Sequence, residues 1–290
     1  MSPPKTNTTL RPSVPPPTQS AAPAAVPVLG KVKAKFLPPK IALNCVEGWG
    51  KTSCGAYAPK PAILMARGET GYLTLLGTQS VPNVDNVVVE SWQSLLALLG
   101  DLASKESLPY KTLVLDAVGG FERLCHEYVC FRDFNGDWGE KGFTSYQQGY
   151  EVAVSDWLRM LALLDQVNAK GVIILLLGHT QIRPFKNPMG PDFDRYIADI
   201  HHKTWAVTHK WVDAALFGTY LTVVDNVSKG RNPKGKGIGG TQRILYTERR
   251  DSFDAKNRYG MPNEIDIPND PSQIWTTIWK YIYHKKVAGN

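Results

Sequence analysis

The chain has 290 residues, 43% of them hydrophobic, enough to bury a substantial core in one large or two small domains. No apolar run reaches the roughly 18–20 residues that a membrane-spanning helix needs, so a soluble protein is expected. The formal charge is +7, but Lys5, Arg11, Lys31, Lys33, Lys35 and Lys40 stand in the first 40 residues without one acid. The rest of the chain is nearly neutral, and any polyanion must be met by local patches.

Residues 1–38 are rich in Pro, Ala, Ser and Thr, with no apolar central stretch of the signal-peptide kind. Such a segment cannot offset its ordering entropy by burial and is expected to be a disordered basic tail, either a spacer or a tether for nucleic acid or a partner protein. Residues 39–290 are expected to form one domain. Cys45, Cys54, Cys125 and Cys130 are few for this length and are read as reduced thiols of a cytoplasmic protein.

In chain order, "IALNC" predicts a short buried strand, "TSCGAYA" a short helix closed by Pro59 and Pro61, and "AILMA" and "NVVVE" two further strands. Ser91 is a candidate N-cap for a helix over "WQSLLALLGDLA". "KTLVLD" predicts a strand ending on Asp116. A long helix from about Tyr146 to Asn168 carries Trp157, Leu161 and Leu164 on one face, and "GVIILLLGH" is apolar throughout, as in a central strand covered on both faces. After residue 211 the pattern shifts to antiparallel strands, "VDAALFGTYLTVVD" and "RILYTER", joined by a Gly/Lys-rich loop over 226–243. A helix with Ile274, Ile278, Trp279 and Ile282 on one side closes the chain. Strands alternating with helices predict a mainly parallel α/β sheet with a C-terminal antiparallel extension.

The chemistry begins at "NCVEGWGKTS", Asn44 to Ser53. A strand, a glycine-rich turn and a helix are what phosphate binding needs, because turn amides point inward and the helix N-terminus adds partial positive charge. Gly48 and Gly50 let the backbone approach a phosphate, Lys51 reaches the β- and γ-phosphates, and the Thr52 hydroxyl ligates Mg²⁺. The whole stretch Glu47, Gly48, Trp49, Gly50, Lys51, Thr52 and Ser53 is the candidate ATP cradle. The usual pattern opens on a glycine where Cys45 stands, which leaves open whether the turn is reshaped. Asp116, at the end of an apolar strand, is the candidate second holder of the Mg²⁺ shell. Glu69, just past "AILMA", falls at the same sheet edge and is the candidate group that orients water. His179 and Gln181 end another central strand there and are candidate γ-phosphate sensors, although His179 also reads as a structural histidine. "DFNGDWGE" has part of a calcium-loop spacing, but Gly136 comes too early and a surface insertion is expected.

These residues, with "LVLDAV", "GHTQIRPFKNPMGPDFDRY", "WVDAALFG" and "AKNRYGMP", resemble the RecA-like P-loop ATPases of phages and prophages that act in recombination with single-strand annealing proteins. The resemblance spans about residues 41–268. It implies a RecA-like fold, ATP and Mg²⁺ as cofactors, and single-stranded DNA as partner. It also implies a homo-oligomer in the cytoplasm of a bacterial host, working beside a single-strand DNA-binding protein. It implies DNA contacts in the loop after the sensor strand, at Arg183, Lys186 and Arg195, and cationic fingers at Lys256 or Arg258 reaching a neighbouring subunit's nucleotide. Arg249 and Arg250 are alternative fingers. The residues themselves offer a second DNA patch, Lys229, Arg231, Lys234 and Lys236, with Arg243 at its end and no acid among them. Two other classes stay open: a P-loop nucleotide kinase, and an ATP-gated single-strand-binding module with negligible hydrolysis.

Overall fold

The computed structural model describes residues 30–31, 37–226 and 235–282, with the backbone alone at 222–226 and 235–239. The chain divides between Phe36 and Leu37, and the second unit carries the fold. Its elements are β1 (Lys40–Cys45), α1 (Lys51–Ala56), β2 (Pro61–Ala66), α2 (Gly71–Gly77), β3 (Asp85–Val89), α3 (Trp92–Ser104), β4 (Thr112–Asp116), α4 (Val118–Phe134), α5 (Gln148–Ala169), β5 (Ile173–Phe185), β6 (Phe193–Ala198), α6 (His202–Trp211), β7 (Ala214–Asn226), β8 (Gly235–Tyr246), β9 (Lys256–Asn257), β10 (Glu264–Ile267) and α7 (Ile274–Ile282). The tail expected over residues 1–38 lies almost wholly outside the described residues, as do Lys229, Arg231 and Lys234.

The main sheet runs in the order β10-β8-β7-β1-β5-β4-β2-β3. From β7 to β3 every neighbouring pair is parallel, whereas β8 and β10 continue the sheet antiparallel. This is the arrangement expected, a mainly parallel α/β sheet with flanking helices and an antiparallel C-terminal extension. Side chains alternate across the sheet with the period of two that a pleated strand imposes. Along β4, Leu113 and Leu115 join the core that Trp92, Phe121, Trp157 and Leu164 of α3, α4 and α5 complete, while Val114 joins the opposite core with Cys54 of α1 and Trp275 of α7. Trp92 and Trp157 stack at 5.9 Å between ring centroids and tie α3 to α5. Ser91 caps α3 as expected, with its hydroxyl accepting from the Ser94 amide.

The expected strands are present, and several features differ from the sequence reading, the short strands β9 and β10 among them. The helices α2 and α4 are additional. Gly119 and Gly120 disguise the start of α4, where a glycine is unfavourable for propensity but serves close packing: a Cβ on Gly120 would lie 2.5 Å from the Ala66 Cβ. The loop expected after the sensor strand is a hairpin, because β5 continues past His179 and pairs antiparallel with β6 from Thr180–Ala198 to Phe185–Phe193. The loop expected over 226–243 is shorter than that, since β8 begins at Gly235 and Lys236 pairs with Asp225 inside the ladder.

Candidate functional site

Parallel strands leave their carboxyl ends on one edge, the place where such sheets bind ligands. The registers Cys45↔His179, Asp116↔Leu177 and Met65↔Asp116 bring the ends of β1, β2, β4 and β5 together there. The turn after β1 is built by two left-handed glycines, Gly48 at φ 71° and Gly50 at φ 104°. Gly50 then caps α1, and its carbonyl accepts from the Cys54 amide at 2.9 Å. In this conformation the first amides of α1 face the edge unpaired by the helix, as an anion site requires.

Three contacts from β7 and β8 hold the turn. The buried Trp49 ring donates its Nε1–H to the Thr219 carbonyl at 3.0 Å, the Tyr220 hydroxyl donates to the Gly48 carbonyl at 2.6 Å, and Arg243 Nε donates to the Trp49 carbonyl at 2.6 Å. Trp49 therefore anchors the turn from below. Glu47 is exposed and Ser53 is buried in the first turn of α1. Arg243, read from the sequence with the basic loop, is instead a loop-holding residue in β8. Nothing local in "FGTYL" marks Tyr220; only the β1–β7 pairing brings it to the turn.

Cys45 ends β1 in ordinary extended backbone, as it is absent from the residues with positive φ. A glycine is thus not needed there for conformation. Its Sγ lies against Gly218 of β7, and burial pushes the thiol well above its usual range, with Lys51 opposing.

Lys51 and Thr52 both reach inward. Lys51 Nζ donates to His179 Nδ1 at 3.2 Å, and an ammonium can only donate, so the contact selects the Nε2–H tautomer of His179. The Thr52 hydroxyl donates to Asp116 Oδ2 at 2.8 Å. Asp116 is only 5% exposed. Burial raises its pKa, with the Thr52 bond and Lys51 opposing and Glu69 adding to the rise. Glu69 lies close enough to Asp116 to repel it, and its carboxylate approaches the Gly120 position at the start of α4, 3.5 Å from where a Cβ would stand. The donor set fits a divalent cation: a hydroxyl and a buried, poorly solvated carboxylate face each other, beside an ammonium and an anion-binding turn.

The other candidates are placed less uniformly. Gln181 lies two residues beyond His179 and accepts from Arg183 Nε at 2.8 Å. Arg183 and Lys186 are exposed on the hairpin. Arg195 is not available to DNA: it is 8% exposed, pairs with Asp254 and stacks its guanidinium over Phe185. Lys256 and Arg258 do not join this site. They sit by the first residues of β1 and β7, at the opposite end of those strands. Lys256 donates to the His209 carbonyl and Arg258 to Asp213 at 3.2 Å and the Lys210 carbonyl at 3.4 Å, so both bind the carbonyl-rich end of α6.

A family model described as an AAA domain matches residues 37–259. No curated protein matches the sequence. Among solved structures, the RadB recombinase is similar with a TM-score of 0.43 at 10% identity, over 81% of this chain and 90% of that one. The KaiC-like protein PH0186 from Pyrococcus horikoshii is similar with a TM-score of 0.38 at 10% identity, over 81% and 88%. Likeness at this level bears on neither activity nor partner.

Proposed function

The chain belongs to the AAA-domain family, and from that premise we propose that it binds ATP with Mg²⁺ and hydrolyses it to ADP and phosphate when single-stranded DNA is bound, as an oligomer acting in DNA recombination. The observation that carries the reading is the pairing of Thr52 with Asp116 at 2.8 Å beside Lys51, in front of a turn with two left-handed glycines. In this reading the turn amides and Lys51 hold the phosphates. Thr52 and Asp116 would hold the Mg²⁺ shell, and the cation would supply neutralisation of phosphate charge. Glu69, near enough to Asp116 to repel it, orients the attacking water. Lys51 passes from His179 to the phosphates, which leaves His179 Nδ1 open and makes His179 and Gln181 the groups that report the γ-phosphate along β5.

The antiparallel β7–β8 extension, whose Arg243 packs onto the phosphate turn, is read as favouring hydrolysis over a kinase reaction. The test is ATP turnover with and without single-stranded DNA, with product analysis for free phosphate. Turnover that rises with DNA supports the proposal; a Lys51→Ala variant as active as the parent sinks the site. A phosphorylated acceptor in place of free phosphate transfers the protein to the kinase class, and tight ATP-dependent DNA binding without phosphate release makes it a gated binding module.

A further inference from the structure

Beyond the edge that carries Lys51 and Asp116, a cleft of about 530 Å³ opens between α4, the first turn of α5, the β5–β6 hairpin and the start of α6. One wall is made of rings. Tyr150 and His201 stack at 4.1 Å between centroids and 4° between planes, His202 continues the surface 4.3 Å from His201, and His126 meets Tyr150 edge-on at 5.2 Å. The facing wall is Gln181 and Arg183, joined to each other through the 2.8 Å bond already described. Asp199 is also part of the lining.

The charge state of the rings narrows what fits. Burial holds His126 and His201 down to about 4, so both are neutral at pH 7. Glu122, pushed up by burial, faces inward and accepts from the His201 amide at 2.9 Å with each of its oxygens. Neither of these two rings therefore acts as an imidazolium trap for phosphate. Flat rings on one side, with an amide, a guanidinium and a carboxylate among the other lining groups, suit a flat, hydrogen-bonding partner. Arg183 is exposed beside it, and Lys186 lies farther along the same hairpin, both suited to a flanking phosphate.

We propose that this cleft receives one unpaired nucleobase of single-stranded nucleic acid, stacked on the exposed His202 ring that ends the Tyr150–His201–His202 stack, with Arg183 on the adjoining phosphate. The proposal rests on the single-strand reading above and adds a base-holding site to it. A duplex keeps its bases in the stack and cannot deliver one. The location also has a consequence: Gln181 in the cleft wall is two residues from His179, so base and γ-phosphate would be sensed by the same strand.

The experiment is fluorescence anisotropy with the full chain, ATP and Mg²⁺, comparing a labelled oligothymidylate with an abasic strand of equal length. The wild type should bind the oligothymidylate about tenfold more tightly, the order expected for one base stacked on aromatic rings. Tyr150→Ala and, at an exposed position where folding is not at issue, His202→Ala should bring the two affinities together. Equal affinities in the wild type, or an undiminished preference in both variants, overturn the proposal. Tight but equal binding of both strands removes the base cleft alone, whereas failure to bind either strand removes the single-strand reading with it.

Discussion

Cys45 and Gly218 face each other across the β1–β7 ladder, and the Cys45 Sγ lies 2.7 Å from the point where a Gly218 Cβ would stand. Trp49 crowds the same point at 2.6 Å. The space that a glycine leaves in the phosphate turn of the usual pattern is here left one strand away, and the sulfur and the indole fill it. Gly218→Ala should therefore destabilise the protein by about 1–3 kcal/mol through overpacking, measured by urea denaturation. Cys45→Gly should change ATP affinity by less than about twofold, because Cys45 takes no left-handed conformation that a glycine would relieve. A large gain in affinity in a fluorescent-nucleotide titration would mean that the Cys45 side chain distorts the turn after all.

Gly120 brings the start of α4 against the end of β2 and fixes the room that Glu69 has. An alanine in a helix interior ordinarily gains about 1 kcal/mol over glycine. Here the added Cβ meets Ala66 at 2.5 Å and Glu69 Oε1 at 3.5 Å, so Gly120→Ala should instead lose stability and displace Glu69. ATP should still bind, and kcat should fall toward the value of Glu69→Gln. If both variants turn over ATP at the parent rate, Glu69 has no part in activating water.

The parallel core was legible because its strands are short apolar runs that end in chemically distinctive residues, Cys45, Asp116 and His179. Each covers one sheet edge only if all run the same way, and the registers bear that out. What could not be read was set by contacts distant in sequence. Tyr220 and Arg243 reach the phosphate turn through strand pairing. Arg195 looks like an exposed cation in "FDRYIA" until Asp254, 59 residues away, is placed against it. The start of α4 was hidden by two glycines whose value lies in close approach rather than in helix propensity. Lys256 and Arg258 carry the signature of phosphate-seeking cations, but within this chain the end of α6 supplies their carbonyl partners.

Arg243 holds the turn through two carbonyls at once, Trp49 at 2.6 Å from Nε and Asn269 at 2.7 Å from Nη1. A guanidinium fork can span both, whereas a lysine ammonium cannot keep both in plane. Losing a charge-assisted bond of this kind costs about 1.5–3 kcal/mol. The contact holds the turn and does not touch a reacting atom. Arg243→Ala and Arg243→Lys should therefore raise KM for ATP by roughly tenfold while kcat falls less. Equal losses in kcat and kcat/KM would instead place the guanidinium on the transition state.

Asp116 gives the site a pH signature with a definite sign. Burial makes the carboxylate costly, so in the folded protein it keeps its proton above the usual value of 3.8, despite the opposing Thr52 bond and Lys51. Between 3.8 and the raised value, the folded state holds a proton that the unfolded chain has lost. The contribution of Asp116 to stability is therefore present below that window and declines as pH rises through it. Asp116→Asn has no proton to lose, so its stability relative to the parent should climb across the window and level off above it. Urea unfolding at closely spaced pH values measures the difference, and a gap that stays constant with pH would contradict the assignment. Mg²⁺ with ATP favours the carboxylate form and should restore stability to the parent above the window. The same addition should do much less for Asp116→Asn, because an amide oxygen leaves the cation without the charge that compensates the cost of burial.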